Sequence, residues 1–420
     1  MQQSSMPHQL VSLNLDLLFA DRATHYGIKP ETIASTQAQV AEATASVEEN
    51  VAKLSNATLL EQTQTAFSQI SWAKQMIVVG IGGSDLGGRT IQQALQVDIP
   101  PMQVIFHGDS TDPEQIRRLF LRISLPESVF VIISKSGETV ETISQYLFWK
   151  EQLRTNHPEL DWTKHFVFIT DANKGILRKE ADAFGVLTLP IPDSVGGRFS
   201  VLTPVGLLPA LAMGVDCAGL LEGARAFASD SSQRQLAYDF ATTQYQLYVQ
   251  GIQVVVCMPY SIALEEFARW FRQLWAESLG KDGKGILPIQ SRGPADQHSQ
   301  GQFYNQGAPL QSVLFLRVEQ PKQDFVLPST DIAELKYLTG HTFQEICLAE
   351  QTATAQALAE VGRPSATLSI RALDAKNLGA LFLFFELAVV HAAQLLKVNA
   401  FDQPGVEQGK QIMYRLLGAA

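Results

Sequence analysis

Cysteine is scarce in this chain, with three in 420 residues. Cys217, Cys257 and Cys347 lie far apart in apolar surroundings and are odd in number, which argues against a disulfide framework and fits reduced core thiols in the cytoplasm. No metal-ligand spacing of His, Cys, Asp and Glu is present, so no metal is expected. Positive charge is also in deficit. The 32 Lys and Arg against 42 Asp and Glu leave a net charge of −10, which repels phosphate backbones and acidic lipids, so neither a nucleic-acid nor a membrane partner is expected. A phosphate-bearing ligand would have to find local positive charge. Met1 to Leu10 lack the basic start and apolar run of an export signal, again favouring a cytoplasmic protein. The longest apolar stretch, Leu378 to Val398, is broken by Glu386, His391 and Gln394 and reads as a helix buried between layers rather than a membrane span.

Short apolar runs and amphipathic segments alternate from Met76 to Pro190. Met76–Gly80, Gln103–His107, Val129–Ile133, Phe166–Thr170 and Val186–Leu189 read as five strands of a parallel sheet, with crossover helices between them. Such a doubly wound domain binds ligands at the carboxyl ends of its strands. A second series begins at Ile252–Met258 and continues through Ser312–Val318 and Ala366–Ile370. The expected division is an N-terminal helical segment (1–71), two α/β domains (72–215 and 216–400) and a C-terminal loop and helix (401–420).

The densest chemistry follows the third strand. Ser134-Lys135-Ser136-Gly137-Glu138-Thr139 opens a helix, whose N-terminus carries unpaired N–H groups and about half a positive charge. Alone it could equally be an ordinary Ser/Gly turn. After the first strand comes Gly80-Ile81-Gly82-Gly83-Ser84-Asp85, in which Asp85 stands at the third position of a dinucleotide fingerprint and spoils it. Gly83 and Ser84 instead suit close approach of the backbone to a sugar. Gly196-Gly197-Arg198 leaves the fifth strand at the same sheet edge, and its guanidinium can either face an oxyanion or cap carbonyls.

In Ile262–Leu279 the stripe Leu264, Phe267, Phe271 and Leu274 faces the core, leaving Gln273 and Glu277 on one face. Glu277 sits where the helix macrodipole disfavours a carboxylate, a disposition suited to a general base, though a solvated Glu beside Lys281 is the plain alternative. His298 is the histidine of a long polar loop region. Lys410 follows Gln403-Pro404-Gly405-Val406-Glu407 and could be only an exposed lysine at a helix start.

Together GIGGSDLGGR, SKSGET, GGRFS, AESLGK, DQHSQGQ and FDQPGVEQGK resemble the glucose-6-phosphate isomerase family, in its compact bacterial branch, in the family's order and over most of the chain. The resemblance implies two doubly wound five-strand sugar-isomerase domains and the interconversion of glucose 6-phosphate and fructose 6-phosphate without a cofactor. It implies sugar contacts from Gly83 and Ser84, phosphate contacts from Ser134, Lys135, Ser136 and Thr139, and further contacts from Gln273 and Gln403. Glu277 would move the proton, Arg198 steady the enediolate, and His298 with Lys410 assist ring opening. It implies a homodimer in which each site borrows His298. Pro404 stands where many members have Trp, and Asn305 where long members have a second His. Two alternatives stay open: an isomerase also acting on mannose 6-phosphate, and a non-catalytic sugar-phosphate sensor.

Overall fold

The computed structural model describes residues 9–18, 28–40 and 57–418. Ten strands form two sheets: β1 (Val11–Asn14), β2 (Gln75–Val79), β3 (Gln103–Phe106), β4 (Ser128–Ile133), β5 (Phe166–Asp171), β6 (Leu187–Ile191), β7 (Val254–Pro259), β8 (Leu287–Gln290), β9 (Gln311–Gln320) and β10 (Ser365–Ala372). The first sheet has the order β3-β2-β4-β5-β6 and is parallel throughout. Every residue of β4 and β5 is buried, as expected for strands covered by helices on both faces. Because β3 and β4 flank β2 on opposite sides, the order reverses between β2 and β4, and a crevice opens at their carboxyl ends.

The second sheet has the order β1-β10-β9-β7-β8. Two of its strands went unforeseen. β8 is a four-residue edge strand containing Pro288, which an edge tolerates because one side needs no N–H donor. β1 comes from the N-terminal segment, which reads as helical, and pairs antiparallel with β10, Val11 opposite Ile370. The second sheet is therefore parallel in four strands with one antiparallel edge. Elsewhere in that segment lie the short turn Asp16–Leu18 and the helices Pro30–Ala38 and Ala57–Ile70; residues 1–8, 19–27 and 41–56 lie outside the described residues.

Helix Ala375–Leu396 is the centre of the second layer. Among the described residues it alone is long and apolar enough to cross a membrane, and 94% of its most apolar window is buried inside the protein. It packs on Cys217–Ser229 and Ser231–Val249. The first crossing is so close that a Cβ on Gly379 would lie 1.9 Å from the carbonyl oxygen of Leu220. Phe382 and Phe385 add ring contacts to Phe267, Trp270 and Phe271 of helix Glu265–Leu279. Each buried ring contributes about 1.5–3 kcal/mol of transfer free energy, so this packing locks the Glu277-bearing helix onto the core. The three cysteines are free, Cys217 and Cys257 buried and Cys347 partly so.

Candidate active site

The turns after β2 and β4 meet at the crevice of the first sheet, joined there by the turn after β6. Ser134 Oγ lies 3.0 Å from Thr139 Oγ1 and accepts the N–H of Gly137 at 3.1 Å, which curls SKSGET into a cradle. Thr139 stands at the N-cap of the 17-residue helix Val140–Asn156 without capping it through its side chain, so first-turn N–H groups are available to an anion. Lys135 Nζ donates to the carbonyls of Asp193 and Val195, both at 2.8 Å, tying this cradle to the segment leading into Gly196-Gly197-Arg198. Burial lowers the pKa of Lys135, and the Asp193 and Asp171 carboxylates oppose that shift.

Gly83 belongs to a short helical turn, Gly82–Ser84, pressed against the Gly197–Phe199 turn. A Cβ at Gly83 would lie 2.3 Å from the carbonyl carbon of Gly197, so glycine is required for contact between the two turns. Asp85 closes the turn: it is buried, paired with Arg89 at 2.5 Å, and desolvation raises its pKa to about 6 against the pull of Arg89.

Arg198 is 3% exposed and binds five acceptors. Its Nε donates to Ser278 Oγ at 2.8 Å, and one terminal nitrogen to Gln403 Oε1 at 2.7 Å and Glu277 Oε2 at 3.3 Å. The other terminal nitrogen donates to the carbonyls of Asp402, at 3.0 Å, and Ala400. Burial lowers the Arg198 pKa while Glu277 supports its charge. The Glu277 carboxylate, one third exposed, also accepts from Gln273 Nε2 at 2.9 Å; Gln273 Oε1 is buried and without a protein partner. Glu277 occupies the last turn of helix Glu265–Leu279, whose stripe Leu264, Phe267, Phe271 and Leu274 is fully buried.

The structure thus joins Glu277, Gln273, Arg198 and Gln403, with the Gly83–Ser84 turn packed on the Arg198 turn and the Ser134–Thr139 cradle tied to it through Lys135. Lys410 stands apart, paired with Glu407 at 2.7 Å and half exposed. Its helix, Glu407–Leu416, nevertheless reaches the cradle, where Tyr414 Oη donates to the carbonyl of Glu138 at 3.3 Å.

His298 corrects the expectation of a loop: it is an exposed residue of helix Ala295–Gln306. It borders a cavity of about 640 Å³ at the carboxyl edge of the second sheet, with Tyr260, Ile262, Arg292 and Lys322. Arg292 pairs with Glu265, at the opposite end of Glu277's helix; twelve residues at 1.5 Å per residue separate those ends by about 18 Å. Within one chain, His298 and Glu277 are not brought together. His107 and His391 are buried and hydrogen-bonded, His107 to Gln145 and Gln115 and His391 to Thr242. Ser278 and Asp402, which grip Arg198, carry no recognisable signal beyond sitting next to Glu277 and Gln403 in sequence. Among the described residues no three or more His, Cys, Asp and Glu cluster as metal ligands.

An anion cradle at a strand-order reversal, tied to a guanidinium that contacts a carboxylate, on paired doubly wound sheets, defines a protein of the phosphosugar isomerase class. Residues 24–419 match the family described as phosphoglucose isomerase. The chain is 39% identical over 367 residues to a probable glucose-6-phosphate isomerase of Haloarcula marismortui, covering 87% of this chain and 83% of that one. It is 38% identical to glucose-6-phosphate isomerase of Carboxydothermus hydrogenoformans, covering 82% and 79%. A hypothetical protein of Thermus thermophilus superposes with TM-score 0.86 at 30% identity, covering 97% and 99%. A glucose-6-phosphate isomerase of Chlamydia trachomatis shares the fold, with TM-score 0.80 at 20% identity, covering 94% and 87%. The chain belongs to the phosphoglucose isomerase family.

Proposed function

We propose that the chain interconverts glucose 6-phosphate and fructose 6-phosphate through an enediolate, with Glu277 as the base. The contact of Glu277 with both Gln273 and Arg198 carries this reading, because it sets a carboxylate beside a fixed cation. The phosphate docks at the N-terminus of helix Val140–Asn156, held by Ser134, Ser136, Thr139 and Lys135, with Gly83 and Ser84 along the sugar. This anchoring orients the reacting carbons, so binding energy remote from them lowers the barrier.

Once the ring is open, Glu277 takes the proton from the carbon beside the carbonyl. The C–H electron pair forms the carbon–carbon double bond and the carbonyl oxygen becomes an oxyanion. Arg198 donates to that oxygen; the hydroxyl proton on the deprotonated carbon then passes to the oxyanion, that carbon becomes the new carbonyl, and Glu277 returns its proton to the former carbonyl carbon. The Arg198–Glu277 contact is the longest of the five at Arg198, and the oxyanion takes that N–H, releasing Glu277 for proton transfer. His298 of a second copy and Lys410 assist ring opening. The protein is accordingly a cytoplasmic homodimer, and the cavity face bordered by His298 belongs to the neighbouring copy's site. The two domains are assigned to 72–215 and 216–400, preceded by 1–71 and followed by 401–420.

A coupled assay of fructose 6-phosphate conversion should show activity, and Glu277→Gln should reduce kcat by about 10²-fold or more with substrate still bound. Near-normal turnover in that variant would transfer the base elsewhere.

A further inference from the structure

Resting on the assignment of Arg198 to the developing oxyanion, we propose that Lys281 is a positioning residue for this reaction. It ties the loop 399–403 to the end of the Glu277-bearing helix and so fixes the guanidinium. Lys281 has a side chain only 9% exposed, and its ammonium has three donors for three partners. It pairs with Asp402 Oδ1 at 2.9 Å and donates to the carbonyls of Ser278, at 3.2 Å, and Asn399. The first of these carbonyls belongs to the serine whose hydroxyl accepts from Arg198 Nε. The others lie on the loop that returns the carbonyls of Ala400 and Asp402 and the amide oxygen of Gln403 to Arg198.

Three of the five acceptors on Arg198 therefore stand on a segment that Lys281 fastens. Apart from Ala400, which is buried in the core, that segment has little packing of its own: residues 401–412 are exposed, and Phe401 keeps one ring contact, to Phe199 at 5.2 Å. Asn399 tightens the loop locally, donating to Asp402 Oδ2 at 3.1 Å and accepting from the N–H of Phe401 at 2.9 Å. None of these local bonds connects the loop to helix Glu265–Leu279. Lys281 does, across 118 residues to Asn399. A guanidinium whose acceptors drift is still charged but no longer aimed, and a misplacement of about 1 Å can cost about 10²-fold in rate.

Lys281→Met keeps the stem and removes the ammonium. Its kcat should fall at least about tenfold while KM for fructose 6-phosphate changes less than about threefold, because the phosphate cradle is built from other residues. Calorimetry supplies a readout that lost stability alone would not move. A sugar-phosphate hydroxamate, planar like the enediolate, should bind at least about tenfold more weakly to the variant, and 6-phosphogluconate less than about threefold more weakly. Unchanged kcat, or equal weakening of both ligands, would overturn the proposal. If Lys281→Met does not fold, Asp402→Asn removes the ion pair while leaving the carbonyl contacts. It should lower kcat about threefold or more with the same selectivity between ligands, and wild-type behaviour would equally overturn the proposal. Arg198→Lys separates this inference from its premise: normal turnover there removes the premise, whereas an impaired Arg198→Lys beside a normal Lys281→Met removes the role of Lys281 alone.

Discussion

At the scale of the residue, Arg198 concentrates the chemistry. A guanidinium has five N–H donors, and Ser278, Gln403, Glu277, Ala400 and Asp402 supply five acceptors for them. An ammonium at this position has three donors and no fork, so some of these acceptors would be left unsatisfied. Arg198→Lys should lower kcat by about 10²-fold, the usual effect of removing a fixed oxyanion donor, and should also reduce thermal stability measurably. Turnover within about twofold of wild type, in a variant whose melting temperature falls, would leave Arg198 a purely structural role. Sequence alone could not decide between facing an oxyanion and capping carbonyls, and the geometry supplies both: two carbonyls hold the group in place while one N–H reaches the base. The place of Glu277 on a polar helix face was legible from the apolar stripe beside it, and that of the Ser134–Thr139 turn from the apolar strand before it. Lys281 was not, because its loop partners are remote in sequence and a lysine after a glycine reads as a solvated charge.

At the scale of the element, legibility followed burial. Strands β2, β4 and β5 of the first sheet, covered on both faces, form near-continuous apolar runs, and their predicted bounds agree with the structure to within one residue. The edges of the second sheet lack that signal: β1 has four residues, a half-polar pattern and a partner more than 350 residues away, and β8 is only four residues long and contains a proline. The core helix Ala375–Leu396 was legible from its length, and it carries a titration with a definite sign. Burial pushes the His391 imidazole down from 6.5 to about 4, with Thr242 at 3.1 Å and the Tyr238 ring stacked at 4.8 Å. Between those pH values the unfolded chain binds more protons at this position, so stability is lost as pH falls from 6.5 towards 4. The loss is about 3 kcal/mol at most, from about 1.4 kcal/mol per pKa unit. Denaturant titrations of wild type and His391→Gln should therefore converge as pH drops through this window. Parallel curves would show that His391 does not titrate with folding.

At the scale of the molecule, one chain contains the parts of the proposed reaction without assembling them. Glu277 and His298 lie near opposite ends of one helix direction, and the helix bearing His298 is largely exposed, with Phe303 half open to solvent. The helix Glu407–Leu416 likewise leaves Ile412 and Leu416 uncovered. Two copies related by a closed two-fold axis would place each His298 at the other's site and could cover such surfaces. Glu277→Gln and His298→Ala should each be inactive alone. If the two are unfolded and refolded together, half of the dimers are mixed under random pairing. In a mixed dimer one site receives intact Glu277 from one chain and intact His298 from the other, while the second site receives both lesions. About a quarter of wild-type activity should then return under two-fold statistics. Sites complete within one chain would give no recovery at any mixing ratio, so a heterodimer verified by mass and still inactive would exclude the shared arrangement, and a monomer by sedimentation would exclude it before mixing.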